Sequence, residues 1–348
     1  MNRRHVAVAF PGDLTLNTGG YAYDRRVIAG LRKRGWTVGC LPLGEGFPFP
    51  SREVKREAEQ LLSQLPDGAL VVIDGLAFGV LDRWAGREAR RLRIVALVHH
   101  PLALETGLDF TAQQLLRNSE RRALSFASDV IVTSAMTARE LNAHYDVGPD
   151  RLIVAMPGTD PAAVATCDGD PAHIVSIGTL TQRKGHDVLI GALKRIEQLS
   201  WRATIAGSET LDRQTAAALR HQVETLGLAE RIQIAGECRD ARALLASADI
   251  FALASRFEGY GMVFAEALSQ GLPIVACRAG AVPEVVPEDA GELVPVDDIG
   301  AFAQALHDLV ADKDLRRQKA EASRRAGAQL PGWDLTADII SSRLETMS

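Results

Sequence analysis

Short, continuously apolar segments alternate with amphipathic stretches of helical period along nearly the whole chain, and this rhythm restricts the fold more than any single residue does. Val6–Phe10, Thr37–Leu41, Leu70–Ile73, Arg93–Val98, Val130–Val132 and Leu152–Val154 read as strands. Helical patterns over 21–34, 52–65, 111–127 and 137–143 separate them. Strands apolar on both faces belong to parallel sheets covered by helices on both sides. A stretch rich in Pro, Gly, Asp and Ala over 158–172 then interrupts the pattern. The alternation restarts with strands Ile174–Ile177, Ala203–Ala206, Ile232–Ala235, Ile250–Ala254 and Pro273–Ala276. Helices are expected near 186–199, 211–226, 240–247, 261–270 and 299–312, with further helical material over 321–328. Pro331-Gly332-Trp333-Asp334 ends that run before a last helix over 335–347.

The expected architecture is α/β, with two Rossmann-like doubly wound domains facing each other across a cleft. A length of 348 residues suits two such domains. They are placed at 1–157 and 173–330, with 158–172 as the connection and 331–348 crossing back to the first domain. Four scattered cysteines, Cys40, Cys167, Cys238 and Cys277, form no CxxC pair, which suits a reducing cytoplasm and argues against a zinc site. The net charge of −5 is unevenly divided. Residues 1–157 carry 20 Lys/Arg against 17 Asp/Glu, or +3, and the remainder carries 19 against 27, or −8. Arg87, Arg90, Arg91 and Arg93, with Arg117, Arg121 and Arg122, supply much of the basic excess. A membrane surface or an anionic acceptor could meet them, although solvated helix faces explain them as well. Nucleic acid is disfavoured by the negative total and the absence of a recognition motif.

Glu258-Gly-Tyr-Gly-Met-Val-Phe-Ala-Glu266 carries the most chemistry. It sets two carboxylates eight positions apart where a strand ends and a helix begins. A helix start offers bare N–H groups and a positive dipole end to phosphate, here around Gly259, Tyr260, Gly261, Met262 and Val263. Carboxylates beside a phosphate need an uncharged ligand group, and the hydroxyls of a sugar diol fit them. The implied ligand is a nucleotide sugar. After the strand ending at Ile177, Gly178 lets the loop approach a ligand, and Arg183-Lys184 places two cations for a diphosphate. Asp187 is expected to cap the helix that follows. In the first half, Gly19-Gly20 opens a helix without the GxGxxG spacing of a dinucleotide site. His99-His100 follows the strand ending at Val98; adjacent residues alternate faces, and His100 is favoured as the one facing the cleft.

Taken in order, several segments resemble the donor-binding half of retaining glycosyltransferases of family 4, which have the GT-B fold. They are Gly178-Thr-Leu through Asp187, Ala248-Asp249, Ser255 to Gly261, Glu266-Ala267, Gly271-Leu-Pro-Ile-Val-Ala276 and Gly280 with Glu284-Val285. The resemblance covers nearly all of 174–296, but in the first half only Gly19-Gly20 and the histidine after the strand. It implies that Glu258 meets donor-sugar hydroxyls, Glu266 the ribose, and Arg183 and Lys184 the diphosphate, helped by amides near Gly261–Val263. It implies that His100 contacts the sugar, that Gly20 lies near the phosphate or the acceptor, and that the base rests by Gly236 and Cys238. No metal or other cofactor is expected, and Asp168-Gly-Asp170 and Asp297-Asp298 are assigned none. The expected activity moves a sugar from a nucleotide-diphosphate donor to a hydroxyl acceptor, whether saccharide, lipid or small metabolite. The expected location is cytoplasmic, with peripheral contact at the inner membrane face through the basic N-terminal helices. A nucleotide-sugar epimerase, a pseudo-glycosyltransferase and a non-catalytic nucleotide-sugar sensor are the competing readings.

Overall fold

The computed structural model of this protein describes residues 4–238 and 240–347. It divides into two compact units, 1–158 with 331–348, and 159–330. In the first unit, strands β1 (His5–Phe10), β2 (Thr37–Pro42), β3 (Leu70–Asp74), β4 (Arg93–Val98), β5 (Asp129–Val132) and β6 (Leu152–Val154) alternate with six helices. These are α1 (Gly19–Lys33), α2 (Arg52–Ser63), α3 (Gly75–Phe78), α4 (Asp82–Glu88), α5 (Phe110–Ser125) and α6 (Ala135–His144). The strands form one parallel sheet in the order β2-β1-β3-β4-β5-β6. Every residue of β3 is buried, as a strand covered on both faces requires.

The second unit repeats the plan. Its strands are β7 (Ala172–Ile177), β8 (Trp201–Ala206), β9 (Ile232–Gly236), β10 (Ile250–Leu253), β11 (Ile274–Cys277) and β12 (Gly291–Val294). Its helices are α7 (His186–Arg195), α8 (Arg213–Thr225), α9 (Ala241–Ala246), α10 (Met262–Ser269), α11 (Val282–Val285), α12 (Ile299–Ala311) and α13 (Lys313–Gly327). The sheet is again parallel, ordered β12-β11-β10-β7-β8-β9. Neighbouring residues of β7 face different cores: Ile174 joins Leu193, Ile205 and Phe302, whereas Val175 joins Phe251, Phe264 and Leu268. Burying each such side chain contributes about 1.5–3 kcal/mol.

A last helix, α14 (Trp333–Glu345), belongs to the first unit. Trp36 Nε1 donates to Ser341 Oγ at 2.9 Å, and Arg343 binds the buried Asp129 carboxylate at 2.7 and 2.5 Å. Residues 159–171 hold no helix or strand, yet Ala165 and Cys167 are buried in the second unit.

Side chains cap most of the longer helices: Thr18, Ser51, Asp109, Ser134, Asp212, Asp298 and Asp312 each accept a backbone N–H of the first turn. Helices α7 and α10 differ, each beginning at a left-handed glycine, Gly185 and Gly261, with no side-chain cap. The expectation for Asp187 is therefore corrected: it lies in the first turn of α7 and binds Arg256 instead. Several further elements escape the periodicity, the short helices α3, α4 and α11 among them. Strand β12 is a short edge strand with only one buried residue. Helix α13 begins eight residues before the expected 321, because its inward residues include Arg316 and Lys319 rather than an apolar stripe. The Arg316 guanidinium is fully buried and donates to the carbonyls of Cys167, Leu309 and Gly169 at 3.0–3.1 Å.

Candidate functional site

In the second unit the chain runs outward from β7 to β9 and then returns to place β10 on the other side of β7. Ligands of doubly wound sheets gather at the strand ends beside such a reversal. The segments leaving β7 and β10, 178–185 and 254–261, carry Arg183, Lys184 and Glu258. They are stitched together. Arg256 N–H donates to the Arg183 carbonyl at 2.8 Å, and the Arg183 guanidinium donates to the Phe257 carbonyl at 3.1 Å. At Gly185 (φ +64°) a Cβ would stand 1.9 Å from the Ala254 carbonyl oxygen, so only glycine permits this approach. His186 is buried and its Nε2, 3.2 Å from the Gly178 carbonyl, must carry the proton there. Burial pushes its pKa down to about 4, leaving it neutral.

Glu258 is 5% exposed. Its Oε1 accepts from Lys184 Nζ and from Ser255 Oγ, both at 2.6 Å, while Arg183 NH1 stands 3.6 Å from Oε2. Burial pulls its pKa upward, but Lys184 and Arg183 outweigh burial and hold the carboxyl below its ordinary value. At Gly261 (φ +91°) a Cβ would meet Phe264 at 2.7 Å. Beyond Gly261 the first amides of α10, those of Met262 and Val263, have no side-chain cap.

Glu266 lies half-buried on the second turn of α10, electrostatically coupled to Arg242. Tyr260 turns its ring into the apolar cluster with Phe251 and Phe264. Gly259 continues the turn that leads to Gly261. Gly178 directly follows β7, where a Cβ would sit 3.2–3.4 Å from the Lys184 stem. Gly236 ends β9 at φ +68°, and Cys238 follows as a half-buried free thiol.

In the first unit, Gly19 and Gly20 open α1, capped by Thr18. A Cβ on Gly20 would lie 3.4 Å from His99 Cδ2. The two histidines part company: His100 Nε2 stands 3.4 Å from Glu105, whereas His99 Nε2 lies between Asp24 at 3.2 Å and Asp74 at 3.4 Å. Both aspartates are buried. Burial alone would lower the pKa of His99, yet Asp24 and Asp74 outweigh it and raise it well above the ordinary range. Burial raises Asp24. Among the described residues this is the one group of three side chains close enough to ligate a cation. The three side chains form an internal ion cluster, with one imidazole nitrogen set between two buried carboxylates. Sequence reasoning missed Asp24 and Asp74, since nothing local to either points to a histidine far along the chain.

The comparisons with known proteins agree with this layout. Residues 14–163 match the family model "Glycosyltransferase Family 4" and residues 171–312 match "Glycosyl transferases group 1". The chain belongs to glycosyltransferase family 4. The D-inositol 3-phosphate glycosyltransferase of Corynebacterium glutamicum is 29% identical over 285 residues, covering 74% of this chain and 68% of that protein. An MMP alpha-(1->4)-mannosyltransferase of Mycolicibacterium hassiacum is 25% identical over 315 residues, covering 84% and 74%. Among solved structures, sucrose-phosphate synthase from Thermosynechococcus elongatus superimposes with a TM-score of 0.84 at 20% identity, covering 99% of each chain. Anabaena HepE in complex with UDP-glucose gives 0.77 at 19%, covering 98% and 99%. The fold of this family 4 glycosyltransferase is therefore GT-B. The enzyme transfers a sugar from a nucleotide-diphosphate sugar to a hydroxyl acceptor with retention of configuration. No helix among the described residues is long and apolar enough to cross a membrane.

Proposed function

We propose that the donor's diphosphate is held by Arg183, Lys184 and the uncapped amides of Met262 and Val263, without a metal ion. The observation that carries this reading is the Lys184–Glu258–Arg183 group, set between the ends of β7 and β10 and next to the bare start of α10. As the bond from the anomeric carbon to the phosphate oxygen breaks, negative charge grows on the diphosphate. Preorganised cations and amides stabilise that charge as it develops, which lowers the barrier. The acceptor hydroxyl attacks the face the phosphate is leaving, and its proton passes to a phosphate oxygen. Configuration is retained without a covalent sugar–enzyme bond.

Glu258 changes partners on this reading. In the unliganded protein it neutralises Lys184; with donor bound, the phosphate takes the lysine and the carboxylate accepts from sugar hydroxyls. Glu266 is assigned to the ribose. Gly178, Gly259, Tyr260 and Gly261 shape the backbone, and Gly236 and Cys238 are assigned to the base. In the first unit, the resemblance assigns Gly19, Gly20 and His100 to the phosphate, acceptor and sugar. The relatives named above suggest a polyol phosphate or a saccharide as the acceptor class, and the basic helices of the first unit favour an anionic one. Peripheral attachment to the inner membrane face through those helices belongs to the same proposal.

Incubating the full chain with UDP-, GDP-, ADP- and TDP-sugars and an acceptor panel tests the assignment. Lys184→Ala is expected to abolish transfer while the protein stays folded by circular dichroism. Near-normal turnover in that variant would reject the diphosphate site.

A further inference from the structure

Resting on that donor-site reading, we infer that Arg256 is a positioning residue that holds the Arg183-Lys184 turn in its phosphate-binding shape without touching the ligand. Arg256 lies between the two charged loops, its side chain 23% exposed. Its backbone N–H donates to the Arg183 carbonyl at 2.8 Å, and its NH1 donates to the neighbouring Gln182 carbonyl. The same guanidinium forks onto Asp187 of α7 through NH1 at 3.1 Å and NH2 at 2.7 Å. Its Nε donates to Asp297 at 2.8 Å, in the loop after β12. Four of the five guanidinium N–H groups are thus committed to protein acceptors, which leaves little capacity for a phosphate.

The acceptors identify the role. Two consecutive carbonyls of the cationic turn, those of residues 182 and 183, are both held by Arg256. Asp187, in the first turn of α7, holds the guanidinium from the helix that follows the turn, and Asp297 braces it from a third segment. A planar fork with rigid donors suits three-way bracing, whereas a lysine's three donors fan from a single nitrogen and do not match acceptors spread around the guanidinium plane. Inside the turn, backbone bonds run from Lys184 N–H to the Thr181 carbonyl at 3.1 Å and from Gly185 N–H to the Gln182 carbonyl at 3.2 Å, and Arg256 adds the side-chain bracing.

The role predicts a loss confined to the second phosphate. Calorimetric titration of the full chain with UDP, GDP and ADP, and with the matching monophosphates, gives the diphosphate-over-monophosphate preference for whichever base binds best. Arg256→Ala is expected to lose at least fivefold of that preference while monophosphate affinity stays within twofold. A merely structural role would weaken both alike. Arg256→Lys is expected not to restore it. Because Lys184→Ala already removes one of the two cations that the turn presents, Lys184→Ala/Arg256→Ala should lose less preference than the product of the two single losses. A preserved preference in Arg256→Ala, rescue by lysine, or losses that multiply in the double variant each overturn the inference. Should Arg256→Ala fail to fold, Asp187→Asn removes one brace at a half-exposed position and must still lose twofold or more. An unchanged preference in Lys184→Ala, or no selective binding by the unmodified chain, sinks the donor-site reading itself rather than the role of Arg256.

Discussion

Replacing Glu258 by glutamine should tighten the binding of a bare nucleoside diphosphate while weakening the use of the corresponding nucleotide sugar. The Glu258 carboxylate lies 2.6 Å from Lys184 Nζ, so a phosphate oxygen that takes the same ammonium comes within about 5 Å of it. Two unit charges at that separation repel by about 3 kcal/mol at an effective dielectric constant of about 20. Screening and the retained amide dipole reduce this, leaving about 1–2 kcal/mol, or roughly tenfold in affinity. A sugar donor gains the same relief but loses charge-assisted hydrogen bonds from its hydroxyls, worth about 1.5–3 kcal/mol. The two ligands should therefore respond in opposite directions. Isothermal titration of Glu258→Gln and the parent chain with each nucleoside diphosphate and its sugar derivative reads both. A diphosphate bound no more tightly by a folded Glu258→Gln protein would refute the idea that this carboxylate competes for Lys184.

Two other perturbations probe the frame around the sites. Gly185→Ala combines a left-handed backbone (φ +64°) with a Cβ 1.9 Å from the Ala254 carbonyl, whereas Gly227→Ala has a similar φ of +69° and open space. Urea denaturation should show the first losing about 2–4 kcal/mol and the second about 1 kcal/mol; equal losses would mean that the contact with Ala254 yields at no cost. Glu120 is buried beneath the loop after β4, where its Oε2 accepts from Leu102 N–H at 2.9 Å. Burial, only partly offset by that hydrogen bond, raises its pKa to about 8. The folded protein then keeps a proton that the unfolded chain releases near its ordinary value of 4.5, so this stabilisation is lost as pH rises from there through about 8. Glu120→Gln should flatten that decline by on the order of 3 kcal/mol between pH 5 and 9, and parallel stability–pH curves for the two proteins would contradict the assignment.

Continuous apolar runs such as Leu70–Ile73 and Ile250–Ala254 were enough to indicate parallel strands, because a strand covered on both faces has no polar side to display. The glycines and charges around Arg183-Lys184 and Glu258–Glu266 likewise led to the expectation of a phosphate-and-diol chemistry, since a strand end, a helix start and their charged neighbours all lie within about ten residues. Helix α13 was only half legible for the opposite reason: Arg316 and Lys319 point inward, and their burial depends on carbonyls far away in sequence.

What required the tertiary structure was pairing. Lys184 and Glu258 are 74 positions apart, and Asp24 and His99 are 75 apart. The order of strands decides such meetings, as when β10 returns beside β7 and brings the two charged loops together. Asp187 has the local signature of a helix cap, yet Arg256 from that second loop claims its carboxylate. Periodicity and turn chemistry act through neighbours along the chain and so are written there, whereas the partner of a buried charge is selected by whichever segments the sheet sets side by side.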